Sequence, residues 1–287
     1  MIKFFGCSFT EGGGLNNIDY YNYIETPKTP LTYWPKDSTA EERVSIVNFL
    51  DSYKEDNRFT SILAKSLNTD VINLAKSQAS NDYILETLFK EIDENRNDVY
   101  FAILSLPHRR YWYYEIDKQK HNLNMLEFSG TPFDSRESYR PLYTHFMNYL
   151  EYVFDLKTEL NSLNRHIKLF DSFAKSKGSK IIWSGWDFGD DEMHLETMSK
   201  SAENILLFDE LSLKHFCIKE GLQIEAETNG LVPDNHISKY GNIVVAKKIE
   251  EYIIKNKVVN PIVKVIIVIY LIYYLLLGLY LILIFLY

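Results

Sequence analysis

The chain reads as an α/β protein with a parallel sheet covered by helices. Two observations predict this class. Short apolar runs bounded by turn residues alternate with segments of helical periodicity, and 287 residues, 46% of them hydrophobic, can bury a large core in one domain. The expected strands are residues 2–5, 71–74, 100–104, 180–183 and 205–208. The expected helices are 58–67, 82–94, a long and broken 143–175, 211–220 and 239–256. Residues 12–45, rich in Asn, Tyr, Thr and Pro, and residues 107–141, with the aromatic run Tyr111-Trp112-Tyr113-Tyr114, fit neither pattern. In a parallel α/β fold such insertions wall the ligand crevice at the carboxyl ends of the strands.

Charge and cysteine content narrow the function classes. A formal net charge of −8 and no long basic stripe argue against nonspecific nucleic-acid binding, which needs clustered cations. The two cysteines, Cys7 and Cys217, supply neither a disulfide framework nor a Cys-x-x-Cys metal pair. A reducing compartment is therefore expected. The acidic run Gly189-Asp190-Asp191-Glu192 with His194 has no recognisable ligand spacing, so no metal site is assigned.

The chain opens without a secretory signal pattern, and its last part is different in kind. Residues 265–287 form a run of 23 without one charge, which as a helix reaches about 34 Å, enough for a bilayer core. Lys255, Lys257 and Lys264 precede it, so the positive-inside tendency places the folded domain on the cytoplasmic side of a membrane anchor. The expected organisation is a domain over 1–258, a short linker over 259–264 and a C-terminal transmembrane helix over 265–287. A soluble cytoplasmic protein is the alternative if the tail is removed or is a frame artefact.

Two distant motifs carry the chemistry. The first expected strand runs into Gly6-Cys7-Ser8-Phe9-Thr10, and Pro233-Asp234-Asn235-His236 comes just before the last expected helix. A serine hydroxyl needs a base to take its proton, and His236 can be that base. Asp234, two residues away in an extended segment, projects to the same side and can fix the imidazole tautomer. Each motif alone also fits a plain turn or polar loop, with Ser238 capping the following helix. Cys7 faces away from Ser8 at a strand end and reads as a packed core thiol.

In family order, these motifs resemble the SGNH hydrolases, the GDSL esterase and lipase superfamily. Asn73-Leu74-Ala75-Lys76-Ser77-Gln78-Ala79-Ser80-Asn81 resembles the family's second block, whereas Ser105-Leu106-Pro107-His108 stands where its third usually reads Gly-x-Asn-Asp. The resemblance implies a flavodoxin-like three-layer sandwich and a serine esterase or O-deacetylase acting through an acyl-enzyme. Its substrate would be a small-molecule or glycan ester, or a lipid, with no cofactor. Ser8, Asp234 and His236 are then the catalytic residues, and the amides of Ser8 and Gln78, with Asn81, are the oxyanion candidates. Asn81 at a helix start can also cap that helix, the reading favoured here. Pro107 has no backbone N–H to donate, so His108, Arg109 or Arg110 can stand in for the missing third-block asparagine. His108, Arg109 and Trp186 are the substrate-binding candidates. A noncatalytic SGNH-like binding protein and an O-acyltransferase using the same triad remain open.

Overall fold

The computed structural model describes residues 1–16, 39–114, 118–123, 140–186 and 198–258. Its centre is a four-stranded parallel sheet in the order β2-β1-β3-β6, from β1 (Ile2–Phe5), β2 (Val71–Asn73), β3 (Val99–Leu104) and β6 (Lys180–Gly185). This is a doubly wound order, in which the strand sequence reverses beside β1. A hairpin of β4 (Arg110–Tyr114) and β5 (Gln119–Leu123) stands apart as a second, antiparallel sheet.

Apolar residues cover both faces of the parallel sheet, as strands buried on both sides require. Phe4 and Phe101 are register partners, stack at 4.6 Å, and Phe4 meets the edge of Phe59 from α3 (Phe59–Leu67) on one face. Their neighbours Phe5 and Tyr100 turn to the other face, where the Tyr100 hydroxyl donates to the Glu91 carbonyl of α4 (Asn81–Glu94). On that face Trp183 packs against Phe170 of α6 (Leu156–Ser176) and donates from Nε1 to Asp171. The mixed α/β architecture is thus a central parallel sheet between helical layers. A buried ion-pair set lies within it: Lys3, 3% exposed, pairs through Nζ with Glu91 at 2.7 Å and Asp98 at 3.0 Å. Removing one partner of such a buried set typically costs about 3–5 kcal/mol.

Several expectations shift in register or kind. The stretch 12–45, expected to be irregular, gives way at Ala40 to α2 (Ala40–Asn57), opened by a capping box between Thr39 and Glu42. A one-turn α1 (Ser8–Glu11) follows β1. The stretch 107–141 contains the β4–β5 hairpin, because Trp112 finds a core with Phe146 and Tyr149 of α5 (Arg140–Tyr152). The long helix 143–175 is two helices, α5 and α6, the second capped by Asp155, whose carboxylate accepts from Thr158 N–H at 2.9 Å. Residues 205–208 do not form a full strand. Ile205 makes one parallel bridge to Trp183, and the chain then reverses between Phe208 and Leu211 through Asp209 and Glu210, both at positive φ.

The remaining helices are α7 (Leu213–Lys219), α8 (Ile224–Glu227) and α9 (Lys239–Lys255). Ser238 accepts from the Gly241 N–H at 2.9 Å, the expected cap of the last helix. The chain divides into two compact units, residues 1–249 and 250–287. The expected linker and transmembrane helix, 259–287, lie outside the described residues, as does the acidic run 189–192. Among the described residues no helix is long and apolar enough to cross a membrane.

Both cysteines are fully buried. Burial pushes the Cys217 thiol up to about 12, so its reactive thiolate is scarce at ordinary pH. Alkylation at pH 8 of Cys217 should therefore be negligible in the native protein and rapid in denaturant. Rapid native labelling of that residue, mapped by peptide mass, would contradict this packing.

Candidate active site

Four loops meet at the carboxyl edge of the parallel sheet, those after β1, β2 and β3 and the one that leads into the last helix, where a doubly wound order opens its ligand crevice. The first leaves β1 through Gly6 and Cys7 into α1, whose first residue is Ser8. A helix's first N–H groups have no intrahelical acceptor, so the Ser8 amide points outward as a donor. Gly12 closes the turn at φ 93°, returning its N–H to the Ser8 carbonyl.

The last loop presents Asp234 and His236. Its backbone is bound to the segment entering α8: Glu225 N–H donates to the Asp234 carbonyl and Ile224 N–H to the His236 carbonyl, each at 2.9 Å. Gln223 adds its side-chain amide to the Asn235 carbonyl at 3.0 Å. The loop is thereby fixed on both sides of the histidine.

These two loops place Ser8, His236 and Asp234 in one line. The His236 Nε2 lies 3.1 Å from the Ser8 hydroxyl, and Nδ1 lies 2.6 Å from Asp234 Oδ1. The same carboxylate oxygen accepts the His236 backbone N–H at 2.8 Å. A carboxylate can only accept, so it selects the tautomer with the proton on Nδ1 and leaves Nε2 as acceptor for the serine O–H. The His236 side chain keeps 29% of its surface exposed and Asp234 15%, so the imidazole faces an approach while its orienting partner is mostly covered.

Sequence reasoning missed what holds this imidazole. A Cβ on Gly13 would lie 2.9 Å from both Cδ2 and Nε2 of His236, and one on Gly14 would lie 2.6 Å from the His236 Cβ. Gly14 also sits at φ 82°, a conformation that disfavours side chains. The signal was the triple glycine directly after α1. Phe9 stacks on the imidazole at 4.5 Å and on Trp186 at 3.2 Å, measured between ring centroids. Trp186 is 3% exposed, so it supports Phe9 and His236 from behind instead of offering an open platform for a sugar or acyl group.

The second loop, after β2, begins with Asn73, to which the sequence analysis gave no role. Its amide donates to the Thr10 carbonyl at 2.8 Å and its carbonyl accepts from Ala75 N–H at 3.0 Å, tying α1 to this loop. Lys76 N–H donates to the Gly6 carbonyl, and Ala79 N–H closes a turn on the Lys76 carbonyl. Gln78, third in that turn, has φ 64°. That position favours glycine, and holding a side chain in it costs about 1–2 kcal/mol. The cap of α4 is Ser80, not Asn81: Ser80 accepts from Tyr83 N–H. Asn81 instead spans the end of β3, accepting from Ser105 N–H at 2.7 Å and donating to its carbonyl at 3.1 Å.

The third loop, after β3, turns at Leu106-Pro107-His108-Arg109, with Arg109 N–H on the Leu106 carbonyl. Proline at the second position of a turn suits its fixed φ. His108 is half-buried in that turn, and Arg109 is 5% exposed, with Nη1 on the Ser105 hydroxyl at 2.9 Å. Arg110 turns away toward Glu159 and Tyr149. Among the described residues no group of three His, Cys, Asp or Glu could hold a metal ion.

No family model matches the chain. No curated protein matches it either. Among solved structures it is similar to a Bacillus subtilis protein, YxiM, at 13% identity and a TM-score of 0.40, covering 90% of this chain and 57% of that one. It is also similar to an acetyl xylan esterase, Est2A, from the rumen bacterium Butyrivibrio proteoclasticus, at 12% identity and a TM-score of 0.35, covering 72% and 54%. The chain thus spans little more than half the length of each. At this distance the strand order and the site geometry carry the reading of the fold and its chemistry.

Proposed function

We propose that the chain is a serine hydrolase of carboxylic esters, an esterase or O-deacetylase working through an acyl-enzyme. The observation that carries the reading is the unbroken line Ser8–His236–Asp234, built from residues 228 positions apart. In the first half-reaction the Ser8 oxygen forms a bond to the ester carbonyl carbon while its proton passes to His236 Nε2. The negative charge moves to the carbonyl oxygen, toward the Ser8 amide and, on the neighbouring loop, the Gln78 amide. The carbon–alkoxide bond then breaks, His236 returns the proton to the departing alcohol, and Ser8 carries the acyl group. Water repeats the sequence, regenerating the hydroxyl and releasing the acid. Asp234 holds the imidazole and balances its transient charge.

Pro107 favours a second reading, a binding protein that keeps the fold without turnover, because it removes one donor from the third loop. An O-acyltransferase would use the same residues and need only an alcohol in place of water. A fluorophosphonate probe separates the first reading from the second. The native chain should label at Ser8, and Ser8→Ala should lose both labelling and ester hydrolysis by at least about 10³-fold; absent labelling, or labelling undiminished in the variant, sinks the hydrolase. An added alcohol that raises product yield only as a new ester would point to transfer.

Four further outcomes are expected. Asp234→Asn should lower kcat by about 10⁴-fold through the wrong imidazole tautomer with the fold kept, and His236→Ala should abolish the limb of the pH–rate profile that reports the base. Gly14→Ala should lose about 1–2 kcal/mol from its strained φ, read as a lower Tm, with a fall in kcat because the new methyl displaces His236. The uncharged run 265–287 supports attachment to a membrane with the domain on the cytoplasmic side, and the full chain should then need detergent for extraction while a chain ending at 258 should not.

A further inference from the structure

Arg109 is a buried cation without a counter-charge among the described residues. At 5% exposure a guanidinium is ordinarily paired with a carboxylate, since burying a charge unpaired is costly. Among the described residues its acceptors are neutral: Nη1 donates to the Ser105 hydroxyl at 2.9 Å and toward the Ala79 carbonyl at 3.5 Å. The Nε atom is buried with no hydrogen-bond partner, and among the described residues no hydrogen bond engages Nη2. Arginine carries five N–H donors, and the Nε–Nη2 edge is one that grips a carboxylate with two parallel hydrogen bonds. That edge is the one without a partner among the described residues.

The adjacent arginine marks the contrast. Arg110 is similarly buried but spends its charge on Glu159 and its remaining donors on Tyr149 and the carbonyls of Pro107 and Arg109. Position adds to the argument. Arg109 joins the loops after β2 and β3, the strands on either side of β1, and the β2 loop is itself bonded to Gly6, two residues before Ser8. The unpartnered fork edge thus belongs to the loops that border the crevice of the proposed hydrolase.

The geometry points to Arg109 as a specificity residue that binds a carboxylate carried by the substrate, making the preferred substrate an anionic ester. The assignment rests on the hydrolase reading for its substrate and on the unpaired guanidinium for its charge. One unpartnered fork edge, with Arg110 already neutralised by Glu159, matches a planar monoanion better than a phosphoryl dianion.

Two assays on the full chain test this. In the first, the 4-nitrophenyl half-ester of succinic acid is compared with 4-nitrophenyl butyrate. The wild type should favour the anionic ester in kcat/KM by at least about 10-fold, and Arg109→Met should lose about 100-fold on it and at least about 10-fold less on butyrate, so that the ratio of the two kcat/KM values collapses. Arg109→Lys should recover little of this, because an ammonium cannot reproduce the fork. Equal losses on both esters, or a wild type that prefers butyrate, would overturn the assignment. In the second, titration calorimetry measures succinate and inorganic phosphate binding to the wild type and to Ser8→Ala. Succinate should bind both and fail to bind Arg109→Met or Arg109→Lys.

Phosphate binding more tightly than succinate by about 10-fold would overturn the carboxylate in favour of a phosphorylated ligand. Binding of neither anion to the wild type would overturn the site even if Arg109→Met fails to fold. Succinate binding with no ester turnover would remove the hydrolase and leave the anion site, whereas hydrolysis of both esters without succinate binding would do the reverse.

Discussion

The parallel pairing of β1 between β2 and β3 is the constraint on which the rest depends. A strand in that position is hydrogen-bonded along both sides, so its carboxyl end is fixed relative to both neighbours. The loops that leave the three strands must then share one edge, and Ser8, the turn at Lys76–Ala79 and the turn at Leu106–Arg109 all lie there. Had β1 been an edge strand, one of those loops would have had no place beside the serine. The apolar pairs Phe4–Phe101 and Phe5–Tyr100 hold this arrangement from the two faces.

Three asparagines fasten that edge. Asn73 binds the loop after β1 to the one after β2, Asn81 binds the loop after β2 to the end of β3, and Asn242 binds α9 to the start of α3 through the Phe59 N–H. Each uses both ends of its amide, a donor and an acceptor, on backbone groups. Leucine at any of these places would fill similar volume and lose both bonds. The local strain at Gln78 and the close approach of Gly13 and Gly14 to His236 sit beside these fastenings, which hold the backbone where it would not rest by itself.

Much of the fold was legible because its signals are local. The runs 2–5, 71–74, 100–104 and 180–183 are apolar and β-rich over lengths suited to a strand buried on both faces, and the sheet contains all four within a residue or two. Residues 205–208 carry the same signal and make a single bridge to the sheet among the described residues, because two consecutive residues at positive φ turn the chain back. The β4–β5 hairpin was hidden for the opposite reason. Its aromatic run has strand propensity, but its buried face is supplied by α5, and that partner lies outside any local window.

The site divides in the same way. The sequence by itself determined which groups could do chemistry: a serine at a strand end, an Asp-x-His loop, and an arginine where a proline had removed a donor, since side-chain type and short spacing are written in the chain. Only the tertiary structure decided that Ser8 and His236 stand at hydrogen-bond distance and that two glycines are the room the imidazole occupies. It also turned Trp186 inward behind Phe9, gave Arg110 a counter-charge and left Arg109 without one. Those are properties of pairs separated by tens or hundreds of residues, and burial, which gives a paired or unpaired charge its energetic weight, exists only once the sheet has brought its loops together.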